Sequence, residues 1–439
     1  MQMSSLQRII ALALVSVMLL AGAGCWDRKE INDLNVVTLI GFDRITDSGN
    51  SRVLLTARIL KSGATGAPGT AGMGGGGTPP ITSLAVSAEG ETVADAARNF
   101  YLRFPRQLYL GHTLGIVIGE DLARQGIQQV IEFADRDPLI RYQTQVVVCE
   151  GTALEAIQAS PEFETLAATE LVKMIEHDTQ FVSKSVPADL FQVVYDLLTP
   201  GRDAALPRMR LFTPPEQGSS VRKGPPSGTV EIDQAGKKDA NGAKTGENAG
   251  VAQTAAPEKK TFSVDGAGVF QGDRLAGWLN GKESMGVLFI TGQAHGGAVP
   301  FAFRSPEKNA SFVFSYAKTK ISPVITPGGI TVEVSIKGDG TLSEDENAAI
   351  DVMKESDVKA AQQLIDQETQ RYCQEAVAKC QSLHSDAFGF GDLVHRTNPA
   401  FWKQIRDRWQ NYYPTVKVQV KADFTIENAG ANNKPVEAQ

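Results

Sequence analysis

Cysteine, long apolar runs and excess basic charge are all scarce in this chain, and each shortage excludes a class of protein. Only four cysteines occur in 439 residues: Cys25, Cys149, Cys373 and Cys380. On a helix, the seven-residue spacing of Cys373 and Cys380 is ~10.5 Å along the axis. A disulfide needs Cα atoms ~4.4–6.8 Å apart, so no disulfide framework is expected, and the pair is expected to share one buried helical face. Beyond the N-terminus no stretch reaches the ~20 apolar residues that a spanning helix takes. The net charge is −7, which gives no bulk attraction to nucleic acid, and basic residues are not interleaved with aromatics as in a nucleic-acid surface. There is no His-Glu-x-x-His, Cys-x-x-Cys or nucleophile-elbow motif. Lys337-Gly338-Asp339-Gly340 resembles the start of a calcium loop. Its twelfth position is Ile350 instead of Glu and its sixth is not Gly, so the match fails. His112 has no serine or cysteine motif beside it and is read as structural. No metal or cofactor is expected, and no catalytic residue is assigned.

The N-terminus is distinctive. Arg8 precedes an apolar run from Ile9 to Leu20, followed by the small residues Gly22, Ala23 and Gly24 and then Cys25. A basic start, an apolar run of about a dozen residues and a small-residue cleavage zone describe a secretory signal. Residues 1–24 are therefore read as a lipoprotein signal peptide, and Cys25 as the lipid-attachment residue at the new N-terminus. Acyl chains there would hold the protein to a membrane surface, at ~0.8 kcal/mol per buried methylene. Gly22 stands where such sites usually carry leucine. An ordinary signal with Cys25 incidental and an uncleaved anchor are the alternatives. The run 9–24 is short for an anchor.

After Cys25 the pattern is globular. Val36–Asp43 and Arg52–Leu60 read as neighbouring strands. Residues 62–80 are dominated by glycine. A phosphate-binding loop would end Gly-Lys-Ser or Gly-Lys-Thr, and this stretch ends Gly77-Thr78-Pro79-Pro80, so a loop between strands is expected. A strand at 81–88, a helix at 91–104, a β-rich run at 108–119, a helix at 122–133, a strand at 144–149 and a short helix at 152–159 follow. Ser160-Pro161-Glu162 has the order of a helix start, predicting a helix to about His177, and 187–198 reads as another. No aromatic residue occurs between Phe212 and Phe262, and residues 216–260 are read as a flexible linker or long loop that cannot bury enough apolar surface to order itself. From Thr261 three alternating strands are expected, around Phe312/Phe314/Tyr316, Ile330–Ile336 and Val416–Ile426, each with one buried face. Ser343-Glu344-Asp345-Glu346 has the form of a capping box, predicting a helix to about Leu383 with Ile350, Met353, Ala361, Leu364, Ile365, Tyr372, Ala376 and Cys380 inward. A further helix would carry Phe401, Trp402, Ile405 and Trp409. The fold class expected is multidomain α+β, with mixed or antiparallel sheets and helices packed on one face. The divisions are 26–215 (two α+β domains), 216–260, and a C-terminal α+β domain at 261–439.

The run Gly24-Cys25-Trp26-Asp27-Arg28-Lys29-Glu30-Ile31-Asn32-Asp33-Leu34 resembles the mature start of the Ger(x)C family of spore-germination lipoproteins. Further stretches agree in order: the glycine-rich loop ending Pro79-Pro80, Leu108-Tyr109-Leu110-Gly111-His112 with Val117–Ala123, and Arg136-Asp137-Pro138-Leu139-Ile140-Arg141 with Val146–Val148. Towards the C-terminus come Gly266–Phe270, Leu275–Leu279, Glu283-Ser284-Met285-Gly286, Phe388-Gly389-Phe390-Gly391, and Trp402 through Trp409 to Tyr413-Pro414. The resemblance covers nearly the whole chain after Cys25. It implies three α+β domains, no catalytic residues, and the C subunit of a nutrient germinant receptor. Such a subunit acts with membrane-spanning A and B subunits and is tethered by its N-terminal lipid to the outer face of the spore inner membrane. Two other classes remain open from the residues alone: a substrate-binding lipoprotein of a transporter, and a cell-envelope lipoprotein enzyme.

Overall fold

A computed structural model of the chain describes residues 34–47, 49–61, 82–214, 260–305, 307–345 and 350–428. Cys25 and the signal sequence, the glycine-rich stretch, and nearly all of 216–260 lie outside these residues. Strands β1 (Leu34–Asp47) and β2 (Asn50–Lys61) pair antiparallel, and β3 (Thr82–Gly90) adds to β2 with Lys61 opposite Thr82. Helix α1 (Val93–Arg103) follows, capped by Thr92, whose hydroxyl accepts from the Asp95 N–H at 3.1 Å. Strands β4 (Gln107–Tyr109) and β5 (Gly115–Gly119) lie parallel to β1. Helices α2 (Glu120–Gln125) and α3 (Gln128–Arg136) lead to β6 (Gln145–Cys149), parallel to β5. Helices α4 (Ala153–Gln158), α5 (Ala167–His177) and α6 (Leu190–Leu198) precede β7 (Ala205–Phe212), parallel to β6. Strands β8 (Thr261–Gln271) and β9 (Arg274–Leu279) then run antiparallel and complete one sheet in the order β3-β2-β1-β5-β6-β7-β8-β9, with β4 beside β1.

The second sheet starts after α7 (Gly281–Thr291). It has the order β10 (Gly297–Phe301), β11 (Ala310–Thr326), β12 (Gly329–Asp345), β13 (Lys417–Asn428). Between β12 and β13 come the long α8 (Glu355–Ser382) and the short α9 (Phe390–Thr397), α10 (Pro399–Ile405) and α11 (Trp409–Tyr412).

The α+β class with two mixed sheets follows from the residue pattern. β5 and the Val146–Cys149 part of β6 are apolar throughout, as suits strands buried on both faces. Ile116, Ile118, Val146 and Val148 point into a core with α1, α3 and α6, while Val117, Val147 and Cys149 point into another with α4 and α5. The large sheet is thus covered on both faces. Helices on a single face, as expected, describe the second sheet: its inner residues Phe312, Phe314, Val332, Val334 and Phe424 pack against α7 and α8.

Several expectations are corrected. The helix expected at 122–133 is two helices, because Gly126 takes a φ of 139° and the next N–H, of Ile127, leaves the helix to donate to the Asp273 carbonyl at 2.8 Å. The helix expected from Ser160 begins at Ala167. The buried Glu170 carboxylate draws in the N–H groups of Glu162, Phe163 and Glu164 at 2.9–3.0 Å, and these donors outcompete a helical turn. Residues 343–345 are the end of β12, with Asp345 opposite Ala310. The ladder to β11 takes the place of the expected capping box, α8 starts only at Glu355, and Met353 is exposed. A bulge between Phe314 and Tyr316 breaks the alternation in β11, so Tyr316 is 40% exposed while Phe312 and Phe314 are buried. Beyond these, β8 and β9 belong to the large sheet, and β8 pairs with β7 from Ala205 opposite Val269 to Phe212 opposite Thr261.

Candidate functional site

Cys25, the one site residue the sequence nominates, lies outside the described residues. A buried polar constellation within them joins the two sheets. The loop between α6 and β7 carries Gly201, Arg202 and Asp203, and the segment ahead of α9 carries Asp386. The Asp203 carboxylate accepts the N–H groups of Gly272 and Asp386, both at 2.8 Å, and the Asp203 N–H donates back to the Asp386 carbonyl at 3.1 Å. The Asp386 carboxylate accepts from the Phe390 N–H at 3.0 Å, the Gly391 N–H at 2.8 Å and the Trp409 indole N–H at 3.0 Å. Arg202 pairs with Asp196 on α6 and lies over the Tyr195 ring.

Local sequence explains the arrangement. Gly389 has a φ of 73° at the start of α9, a conformation that costs glycine little. Gly391 and Gly201 are pressed together: a Cβ on Gly391 would sit 2.7 Å from the Gly201 Cα and 2.7 Å from the Trp409 ring. The two glycines of Phe388-Gly389-Phe390-Gly391 thus serve the turn and the close approach, while Phe388 and Phe390 stack at 5.0 Å in the core. Burial pushes the Asp386 carboxyl up to about 7, with the nearby Asp203 adding to the effect and the backbone donors opposing it. Burial also raises Asp203 and Asp196. Asp386 is 1% exposed and its donors surround it, so it has no open side for a substrate. It is a fastener between chain segments.

Other reactive groups are enclosed. The thiols of Cys149, Cys373 and Cys380 are free and buried, and burial pushes all three well up. That suppresses the nucleophilic thiolate. Asp43 is held by the N–H groups of Ala153 and Leu154 at 2.7 Å, fixing the start of α4 against β1. His112 is exposed beside β5, with its ring edge-on to Tyr109. Among the described residues no group of His, Cys, Asp and Glu could hold a metal ion, and no helix is long and apolar enough to cross a membrane. Two open clefts flank the fastener. One lies between α3 and α6, and the other is walled by Pro200–Asp203, Trp402 and Arg406–Asn411. Sequence reasoning missed Asp203 and Asp386. The available signal was their position: Asp386 stands just ahead of the Phe-Gly-Phe-Gly run, and Asp203 follows Pro200-Gly201.

Fold and site together define an α+β protein of two mixed sheets, fastened by the carboxylates of Asp203 and Asp386, whose donors are backbone and indole N–H groups. Residues 27–211 match the spore germination protein N-terminal domain, and residues 265–430 match the spore germination B3/GerAC-like C-terminal domain. The chain belongs to the Ger(x)C family of spore germination proteins. It is 25% identical to spore germination protein KC of Bacillus subtilis (strain 168) over 438 residues, covering 98% of each chain. It is 22% identical to spore germination protein B3 of the same organism over 423 residues, covering 95% of this chain and 97% of the other. The crystal structure of the GerBC protein has the same fold, with a TM-score of 0.51 at 17% identity, over 89% of this chain and 97% of that one.

Proposed function

We propose that this protein is the lipid-anchored C subunit of a spore nutrient germinant receptor, acting without catalysis in the assembly of membrane A and B subunits or in signal coupling between them. The observation that carries this reading is the collinear match of both family domains to a chain whose Cys25 follows an apolar run and the small residues Gly22, Ala23 and Gly24. The diacylglyceryl-bearing N-terminus would hold the folded body at the outer face of the spore inner membrane, and tethering raises its effective concentration around membrane partners, so weak interfaces suffice. Burial of all the described thiols and of Asp386 supports a role through surface contacts instead of turnover. The test is to substitute exposed patches of the folded body and measure co-purification with membrane subunits from spores, together with nutrient-triggered germination. Loss of both at normal folding is the expected result. Turnover of a substrate by the purified protein, or tight binding of a germinant without membrane subunits, would overturn the reading.

A further inference from the structure

The chain enters its fold at one end of the large sheet, and that end has an unusual surface. Leu34 stands opposite Gln107, and the Asn35 side chain donates to the Arg106 carbonyl at 3.1 Å. β5 and β6 begin at the same end, since Gly115 is opposite both Leu39 and Gln145. The loop ahead of β6 lies there, and so does the start of α6, because the Phe191 N–H donates to the Tyr142 carbonyl at 3.0 Å. The last turn of α1 leads into the same place through Arg103–Arg106.

Large apolar side chains are exposed on these segments: Leu102 by 86%, Phe191 by 59%, Tyr101 by 51% and Tyr142 by 50%, with Leu114 and Leu139 less so. Tyr142 and Phe191 form one aromatic surface, with ring centroids 6.3 Å apart and edge to face. Burying such side chains elsewhere in the fold would be favourable, so their clustering at one end calls for a cover. Arg103, Arg106 and Arg141 are exposed among them, and none has a carboxylate partner among the described residues. Three acids lie on the same segments and none pairs with an arginine among the described residues: Asp135 accepts from the Tyr142 hydroxyl, Asp137 from the Leu139 N–H, and Asp189 from the Gln192 N–H at the start of α6.

We propose that this end of the large sheet docks on the lipid bilayer, with Tyr101, Leu102, Tyr142 and Phe191 in the headgroup–acyl boundary and the three arginines against anionic phospholipid headgroups. The chemistry matches the surface. Tyrosine and similar rings favour the interface, where one end is wet and the other apolar, and guanidinium groups form paired hydrogen bonds to phosphate. Chain length fixes the occupant. This inference rests on the reading of Cys25 as the lipid-bearing residue. Cys25 lies nine residues before Leu34, so the anchor holds the start of β1 within at most ~31 Å of the bilayer. The patch lies at the same end of the sheet as that entry point, so the tether keeps it within reach of the lipid.

The test uses the unlipidated chain 26–439, so that binding reports the patch and not the acyl chains. Flotation with phosphatidylglycerol vesicles is expected to capture it, weakly with phosphatidylcholine and less as salt rises. The triple variant Arg103→Glu, Arg106→Glu, Arg141→Glu should lose on the order of 100-fold in affinity, and Leu102→Asp should weaken binding at unchanged circular dichroism and melting temperature. Absent binding of the native chain, or equal binding by the variants, overturns the proposal. So does normal vesicle binding by the variants with lost co-purification of membrane subunits, which would assign the patch to a protein partner. Fatty-acid labelling of the full precursor separates the two readings. Label on Cys25 with no vesicle binding by the patch sinks docking and leaves the tether. Vesicle binding without label sinks the tether and leaves docking.

Discussion

The carboxylate of Asp386 accepts the indole N–H of Trp409 at 3.0 Å, while the Asp386 backbone N–H is held by Asp203, 183 positions earlier in the chain. A single residue so placed ties the loop before β7 to the helices before β13, and through them the large sheet to the small one. Burial, the main cause, raises its carboxyl to about 7, against ~3.9 for an unperturbed aspartate. From about pH 4 to 7 the folded protein therefore keeps a proton that the unfolded chain has released. The contribution of this group to stability falls as pH rises through that window, by at most ~1.4 kcal/mol per pH unit, and levels off above it. Asp386→Asn cannot titrate. Urea unfolding of both proteins from pH 4 to 8 should show the native chain's advantage over the variant shrinking up to about pH 7. A gap that stays constant with pH would rule the raised carboxyl out.

Gly391→Ala should be strongly destabilising. The new methyl would lie 2.7 Å from both the Gly201 Cα and the Trp409 ring, and overpacking of this kind costs ~1–3 kcal/mol. Gly328→Ala, in the turn between β11 and β12, meets only the Thr326 hydroxyl at 3.7 Å and should change stability by less than ~0.5 kcal/mol. Equilibrium denaturation of the pair is the measurement, and equal losses would contradict the close approach at the fastener.

Deleting residues 236–258 should leave the melting temperature nearly unchanged. Phe212 already stands opposite Thr261, so the segment connects two paired strands. Halving a loop changes its closure cost by only ~0.6 kcal/mol. A fall of many degrees in a thermal melt would show that the segment packs on the fold.

Cys25→Ala should leave the body folded but abolish metabolic fatty-acid labelling, and either release the protein from membranes or leave unprocessed precursor. Both sheets are built from residues 34–428, so the variant alters no residue of either. Equal labelling of variant and native protein would end the assignment of lipid to this residue.

The sequence was most legible where one local force dominates. Thr152, the predicted start of a short helix, caps α4 through its hydroxyl, and the runs read as strands at 108–119 and 144–149 contain β5 and β6. It was least legible where a distant group outbid a local preference. Ser160-Pro161-Glu162 has the chemistry of a helix start, yet the nearby backbone N–H groups turn to Glu170. Ser343–Asp345 has the chemistry of a cap, yet the ladder to β11 extends through it.

By itself the sequence determined the family, the α+β class, the identity of Cys25 as the candidate anchor, and which residues are apolar enough to be core, since all of these depend on composition and on local order. Tertiary structure alone decided that β8 and β9 close the large sheet, that Asp203 and Asp386 meet, and that Leu102, Tyr142 and Phe191 gather where the chain enters. These depend on which strand a given strand pairs with, a choice made by long-range hydrogen bonds and shared cores between segments that carry no mark of each other.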